Sequence, residues 1–141
     1  MIDTVRVALA TATLLTTSSL IAPVQANPDC RANCRSDQIQ VTPGDPVAIE
    51  VINQTSVPVQ VEQVPMIAPA RLSPGETLWL DFGWGTKPNI SIVFWSETEQ
   101  PLKAYLFRPE DTSLRIQIRP FAYGPSDRSV DILDDGRVLI Y

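Results

Sequence analysis

A chain of 141 residues with 13 prolines, six glycines and no histidine is sized for one domain and punctuated for turns. The missing histidine removes the commonest general base and metal ligand, and with it every Ser–His or Cys–His pair, blue copper and most zinc sites. A net charge of −5 without a basic run argues against a nucleic-acid or anionic-membrane surface.

The first 26 residues stand apart. No residue from Val7 to Ala26 is charged, Val7–Leu15 is an apolar centre, and Val24-Gln25-Ala26 has the small-x-small form of a cleavage site. Residues 1–26 therefore read as a secretory signal peptide. Its Ser/Thr content and Pro23 make it a poor membrane span, and no span is expected after its removal. The remaining 115 residues are enough for one core, with about two thirds of the unfolded surface buried. The expected location is extracytoplasmic, either periplasmic or secreted. Residues 27–37 read as a polar segment, a loop or short helical turn, ahead of a β-domain over 38–141. In an oxidising space Cys30 and Cys34 are expected to form a disulfide. Their C-x-x-x-C spacing departs from the redox C-x-x-C pattern.

From Gln38 onward the apolar period is two. Gln38–Thr42 reads as a short strand, closed by the turn Pro43-Gly44-Asp45-Pro46. Val47, Ile49 and Val51 alternate with Ala48, Glu50 and Ile52. After Asn53–Ser56, Val57, Val59 and Val61 alternate with Pro58, Gln60 and Glu62. These two runs read as a hairpin, and Pro58, lacking an N–H, places its strand at an edge or marks its start. Val64–Ala70, broken by Pro65 and Pro69, reads as an apolar linker. Ser73-Pro74-Gly75 is a turn signal. Leu78, Leu80 and Phe82 then oppose Thr77, Trp79 and Asp81, and 83–88 is a loop. Ile90, Ile92 and Phe94 oppose Ser91, Val93 and Trp95. These two strands are expected at the middle of a sandwich.

Further on, Leu102, Ala104 and Leu106 oppose Lys103, Tyr105 and Phe107. Leu114, Ile116 and Ile118 oppose Arg115, Gln117 and Arg119. Pro120–Asp127 is a loop. Ser129–Tyr141 carries Asp135-Gly136, which reads as a two-residue type I′ hairpin turn. The sum is an all-β fold, an antiparallel β-sandwich of about eight or nine short strands.

Chemistry is sparse in this pattern. Asp127, Asp131, Asp134 and Asp135 gather in sequence, yet they miss the spacing of a calcium loop, and Asp135 already has a turn to explain it. No metal and no cofactor is expected. Asn53-Gln54-Thr55 and Asn89-Ile90-Ser91 match the N-glycosylation pattern and are read as chance. The aromatic residues say more. If the strands near 76–82, 89–96 and 101–108 are neighbours, then Trp79, Trp95, Tyr105 and Phe107 share the face opposite the aliphatic core. Trp84 in the adjoining loop extends it. Such a face serves a partner or a sugar ring when exposed, and ordinary packing when covered.

The runs PGDPVAIEVINQTSVPVQVE and RLSPGETLWLDF resemble the early strands of small exported bacterial β-sandwiches of immunoglobulin-like or cupredoxin-like type. That resemblance implies architecture alone. There is no histidine for copper, and the cysteines do not sit as an inter-sheet pair. The expected function is a non-catalytic exported module that binds a protein partner of the cell envelope. The alternative is a glycan-binding module using Trp79, Trp84 or Trp95. A carboxylate-dependent hydrolase stands third.

Overall fold

The computed structural model describes residues 30–31, 34–65, 67–82 and 89–141, apart from the side chains at 67, 81 and 82. The signal-peptide reading of 1–26 and the loop carrying Trp84 lie outside the described residues. The described chain is two β-sheets around one core. Its elements are a 3-10 turn at Ser36–Gln38 and nine strands: β1 Val47–Asn53, β2 Val59–Val64, β3 Ile67–Leu72, β4 Thr77–Phe82, β5 Ile90–Ser96, β6 Leu102–Phe107, β7 Ser113–Pro120, β8 Ser129–Ile132 and β9 Val138–Ile140. One sheet has the order β4-β1-β7-β6 and the other β3-β2-β5-β8-β9.

The strand phases follow the sequence pattern. Val47, Ile49 and Val51 are buried on β1, Ile90, Ile92 and Phe94 on β5, Leu102, Ala104 and Leu106 on β6, and Leu114, Ile116 and Ile118 on β7. They join a single apolar cluster fed by both sheets. Each Val, Leu, Ile or Phe side chain among them taken from water contributes roughly 1.5–3 kcal/mol.

The pairing differs from the sequence reading in several places. β1 and β2 are not a hairpin. β1 pairs with β4 and β7, whereas β2 pairs with β3 and β5 in the other sheet. The cause lies at Asn53, whose side chain binds Thr55, Val57 and Leu72 and carries the chain across the core. The same bonds bury the Asn53 amide, so it is closed to glycosylation in the folded chain. The fold is also not purely antiparallel, because β1 runs parallel to β7. Val64–Ala70 is not a linker: most of it is edge strand β3. Pro69 is tolerated there because it sits at an irregularity of the β2–β3 register and on an outer strand. Pro58 precedes the first residue of β2, a position that needs no ladder N–H.

Gln38–Thr42 is not a laddered strand either. The 3-10 turn takes its start, and Gln40 makes a single bridge to Arg137. Cys34 bridges Leu106 on β6, so residues 34–41 run from the edge of one sheet to the edge of the other. Cys34, Ile39 and Val41 are buried in the shared core. The Cys30–Cys34 disulfide is formed, with Cα atoms 5.8 Å apart. It ties the start of this flank segment to itself.

Asp127 closes the rest of the β6 edge. Its backbone N–H donates to the Leu102 carbonyl (2.9 Å), and its carboxylate accepts from the Ala104 N–H (2.9 Å) and the Lys103 ammonium (2.8 Å). The residue stands in for a neighbouring strand. Asp127→Ala leaves the Ala104 N–H unpaired and is expected to cost about 2–3 kcal/mol. Asp127→Asn keeps an acceptor and loses only the half-exposed ion pair, about 1 kcal/mol. Urea unfolding of the two variants checks the order; equal midpoints would contradict the strand-mimic role.

Candidate functional site

The topology separates the aromatic residues that the sequence pattern grouped. β5 belongs to the five-stranded sheet, so Trp95 lies on the opposite side of the molecule from Trp79, Tyr105 and Phe107. These three do share the outer face of the four-stranded sheet, but from its two edge strands, β4 and β6. One register row crosses that face as Trp79, Glu50, Arg115, Phe107. Three strand spacings separate its ends, roughly 14 Å. Glu50 and Arg115 form an ion pair in the middle of the row. Beside it, the Arg119 guanidinium stacks on Tyr105 at 4.6 Å. Tyr105 and Phe107 are half-buried, whereas Trp79 is 62% exposed. The aromatic face is thus one uncovered tryptophan at one edge and two partly covered rings at the other.

Trp79 stands on an unusual edge. Edge strands template foreign pairing, and proteins block them with charge, proline or a covering segment. Here β6 is blocked by Asp127, Cys34 and the Arg31 carbonyl, which accepts from the Arg108 N–H (3.1 Å). The start of β9 is crossed by Val41, whose N–H donates to the Gly136 carbonyl (2.8 Å). β3 carries Pro69. Among the described residues no strand and no backbone group bonds the outer edge of β4. The Asn53 N–H bonds the Glu76 carbonyl (3.0 Å), which fixes the alternation. The Glu76 carbonyl and the backbone groups of residues 78 and 80 face β1, and Thr77, Trp79 and Asp81 turn theirs outward.

A concavity lies at one end of the sandwich, where the β5–β6 and β7–β8 connections cross between sheets. It encloses about 430 Å³ and is lined by Trp95, Glu99, Gln100, Gly124, Ser126 and Arg128, among others. Trp95 is 40% exposed. The Gln100 Oε1 is buried without a hydrogen-bond partner. Glu99 holds a positive φ of 57°. Period-two reading singled out Trp95 here and missed the others, since their meeting depends on which connections cross at this end.

The aspartates do not converge on an ion. Asp127 serves β6, Asp131 accepts from the Ser129 hydroxyl (3.0 Å), and Asp135 binds Arg137 (2.6 Å). Among the described residues no group of three His, Cys, Asp or Glu side chains gathers. The Arg137 backbone N–H, with its guanidinium, holds the Asp135 carboxyl below its ordinary value. Asp135-Gly136 is also not a type I′ turn. Only Gly136 of the pair has positive φ, and the Gly136 N–H donates to the Leu133 carbonyl (2.9 Å). The three-residue loop 134–136 joins Leu133 to Arg137, a type I turn ending in a glycine bulge.

No family model, curated protein or solved structure matches this chain. Among the described residues no helix is long and apolar enough to cross a membrane.

Proposed function

We propose that the protein is an exported, non-catalytic interaction module that takes up an extended segment of a partner protein along β4, with Trp79 as the anchor. The observation that carries this reading is a β4 edge that has no neighbouring strand among the described residues, beside a tryptophan that is 62% exposed. An added strand would bond the outward groups of Thr77, Trp79 and Asp81, and Trp79 would supply the side-chain contact. The 1–26 leader pattern and the Cys30–Cys34 disulfide support export to an oxidising space. The lack of histidine supports a role without catalysis.

A displayed library of extended peptides selected on the folded protein tests it. Bound peptides are expected to slow hydrogen exchange at Thr77, Trp79 and Asp81. Thr77→Pro removes one outward N–H and leaves the β1 ladder intact, so it is expected to block binding while the fold survives. Trp79→Ala is expected to weaken binding roughly 30-fold, the loss of one buried aromatic anchor. Peptides that bind Thr77→Pro unchanged, or protect no β4 amide, would overturn the reading.

A further inference from the structure

Three features meet in the groove at the end of the sandwich. The first is Trp95, a broad apolar ring left 40% exposed beside a concavity. The second is the Gln100 Oε1, an acceptor withdrawn from water and given no donor. An acceptor left this way costs about 1–3 kcal/mol, and native proteins rarely keep one without a use. The third is Arg128. Among the described residues its guanidinium makes no ion pair, although Glu99 lines the same groove and the chain is acidic.

The groove points to a neutral pyranose as its ligand. The apolar face of a sugar ring matches the flat Trp95 ring. Gln100 stands in the groove wall, and a turn of its side chain toward the groove would give its oxygen a ring hydroxyl as donor. Glu99 and Arg128 take up further hydroxyls as acceptor and donor. Their opposite charges leave the groove near neutral, and a net charge of −5 on the chain disfavours an anionic sugar. A volume of about 430 Å³ lies in the range of small-ligand sites. Glu99 sits at positive φ within this wall, a backbone state that is uncommon outside glycine and found often at ligand clamps. The site is independent of the β4 edge: it lies at the end of the sandwich, between the end of β5 and the start of β6.

The experiment uses the full chain with Trp79→Phe and Trp84→Phe, so that Trp95 alone reports. Neutral hexasaccharides of glucose, xylose, mannose and N-acetylglucosamine are titrated, with hexagalacturonate as the anionic arm. At least one neutral sugar is expected to shift Trp95 emission saturably, and hexagalacturonate to bind at least about tenfold more weakly. In the chain with its native tryptophans, Trp95→Ala is expected to abolish the calorimetric signal for that sugar. Gln100→Leu separates binding from folding: it removes an unpaired acceptor, so affinity is expected to fall about tenfold while the unfolding midpoint holds or rises. A flat response to every neutral sugar overturns the proposal, as does tighter binding of hexagalacturonate. Unchanged affinity in Gln100→Leu overturns it too.

Discussion

Asn53→Ala is expected to destabilise the fold by about 3 kcal/mol or more, because it orphans several buried groups at once. Asn53 is fully buried at the end of β1. Its Nδ2 donates to the carbonyls of Val57 (2.8 Å) and Leu72 (3.0 Å), and its Oδ1 accepts from the backbone N–H and hydroxyl of Thr55 (2.9 and 2.8 Å). Leu72 ends β3 in the five-stranded sheet, so one amide joins the two layers. The Thr55 hydroxyl keeps its own bond to Val57 (2.7 Å) in the variant, but the Thr55 N–H and Leu72 carbonyl lose this partner. Asn53→Asp carries a sharper signature. It retains the acceptor and points a second oxygen at two carbonyls. Burial and those carbonyls disfavour the charged form, so the folded-state titration lies above the unfolded one. Its stability is therefore fullest in acid and falls as the pH rises through the folded-state value, opposite to an ordinary paired carboxylate. Urea midpoints for Asn53→Asp that do not fall between about pH 4 and pH 7 would show that this side chain is not enclosed as described.

That residue also marks how far the sequence could be read. Inner and outer positions of the main strands were legible because a half-buried strand writes its burial into every second residue. Val47, Ile49 and Val51, or Leu114, Ile116 and Ile118, need no neighbour to be recognised. Partners are another matter. The run from Val47 to Glu62 looks like a hairpin to any local rule, and only the Asn53 bonds to residues 4 and 19 positions away send its second half to the other sheet. The parallel β1–β7 pair is a contact between distant segments and leaves no local trace. Val64–Ala70 was obscured by its prolines, which an edge strand accepts.

The candidate sites divide along the same line. That Trp79 and Trp95 oppose the aliphatic phase of their strands followed from alternation, whereas their exposure did not. Placing them on one face required β4 and β5 to be neighbours, and they lie in different sheets. Gln100 and Arg128 carry no pattern of their own, because a glutamine in a polar turn acquires meaning only when its oxygen is enclosed without a donor. The β4 edge is similar. Among the described residues it stands out only because the other three edges are blocked, and those blocks come from residues 31–41, 69 and 127.

Gly136→Ala is expected to have the largest effect of any single methyl group added at a described glycine. Gly136 has a φ of +83°, and a Cβ there would lie 1.7 Å from the Val41 carbonyl oxygen and 2.9 Å from its carbon. Both atoms are backbone, held in place by the bond from the Val41 N–H to the Gly136 carbonyl (2.8 Å). No side-chain rotation relieves the overlap. The chain must lift residues 39–43 away and expose Ile39 and Val41, at roughly 1.5–3 kcal/mol for each side chain. The left-handed backbone adds roughly 1–2 kcal/mol for alanine. The total, at least about 4 kcal/mol, approaches the whole stability of a small domain. Gly75→Ala is the matched control. Its φ is +78°, yet an added Cβ meets nothing within 4 Å, so only the backbone cost of about 1–2 kcal/mol applies. Asparagine tolerates a left-handed backbone, so Gly136→Asn should rescue a conformational defect and fail to rescue a steric one. Thermal unfolding ranks the three variants, and hydrogen exchange at Val41 reports whether the flank segment has come away. If Gly136→Ala and Gly75→Ala melt together, residues 39–43 do not lie against this turn. The closure of the sandwich flank by the N-terminal segment would then be wrong.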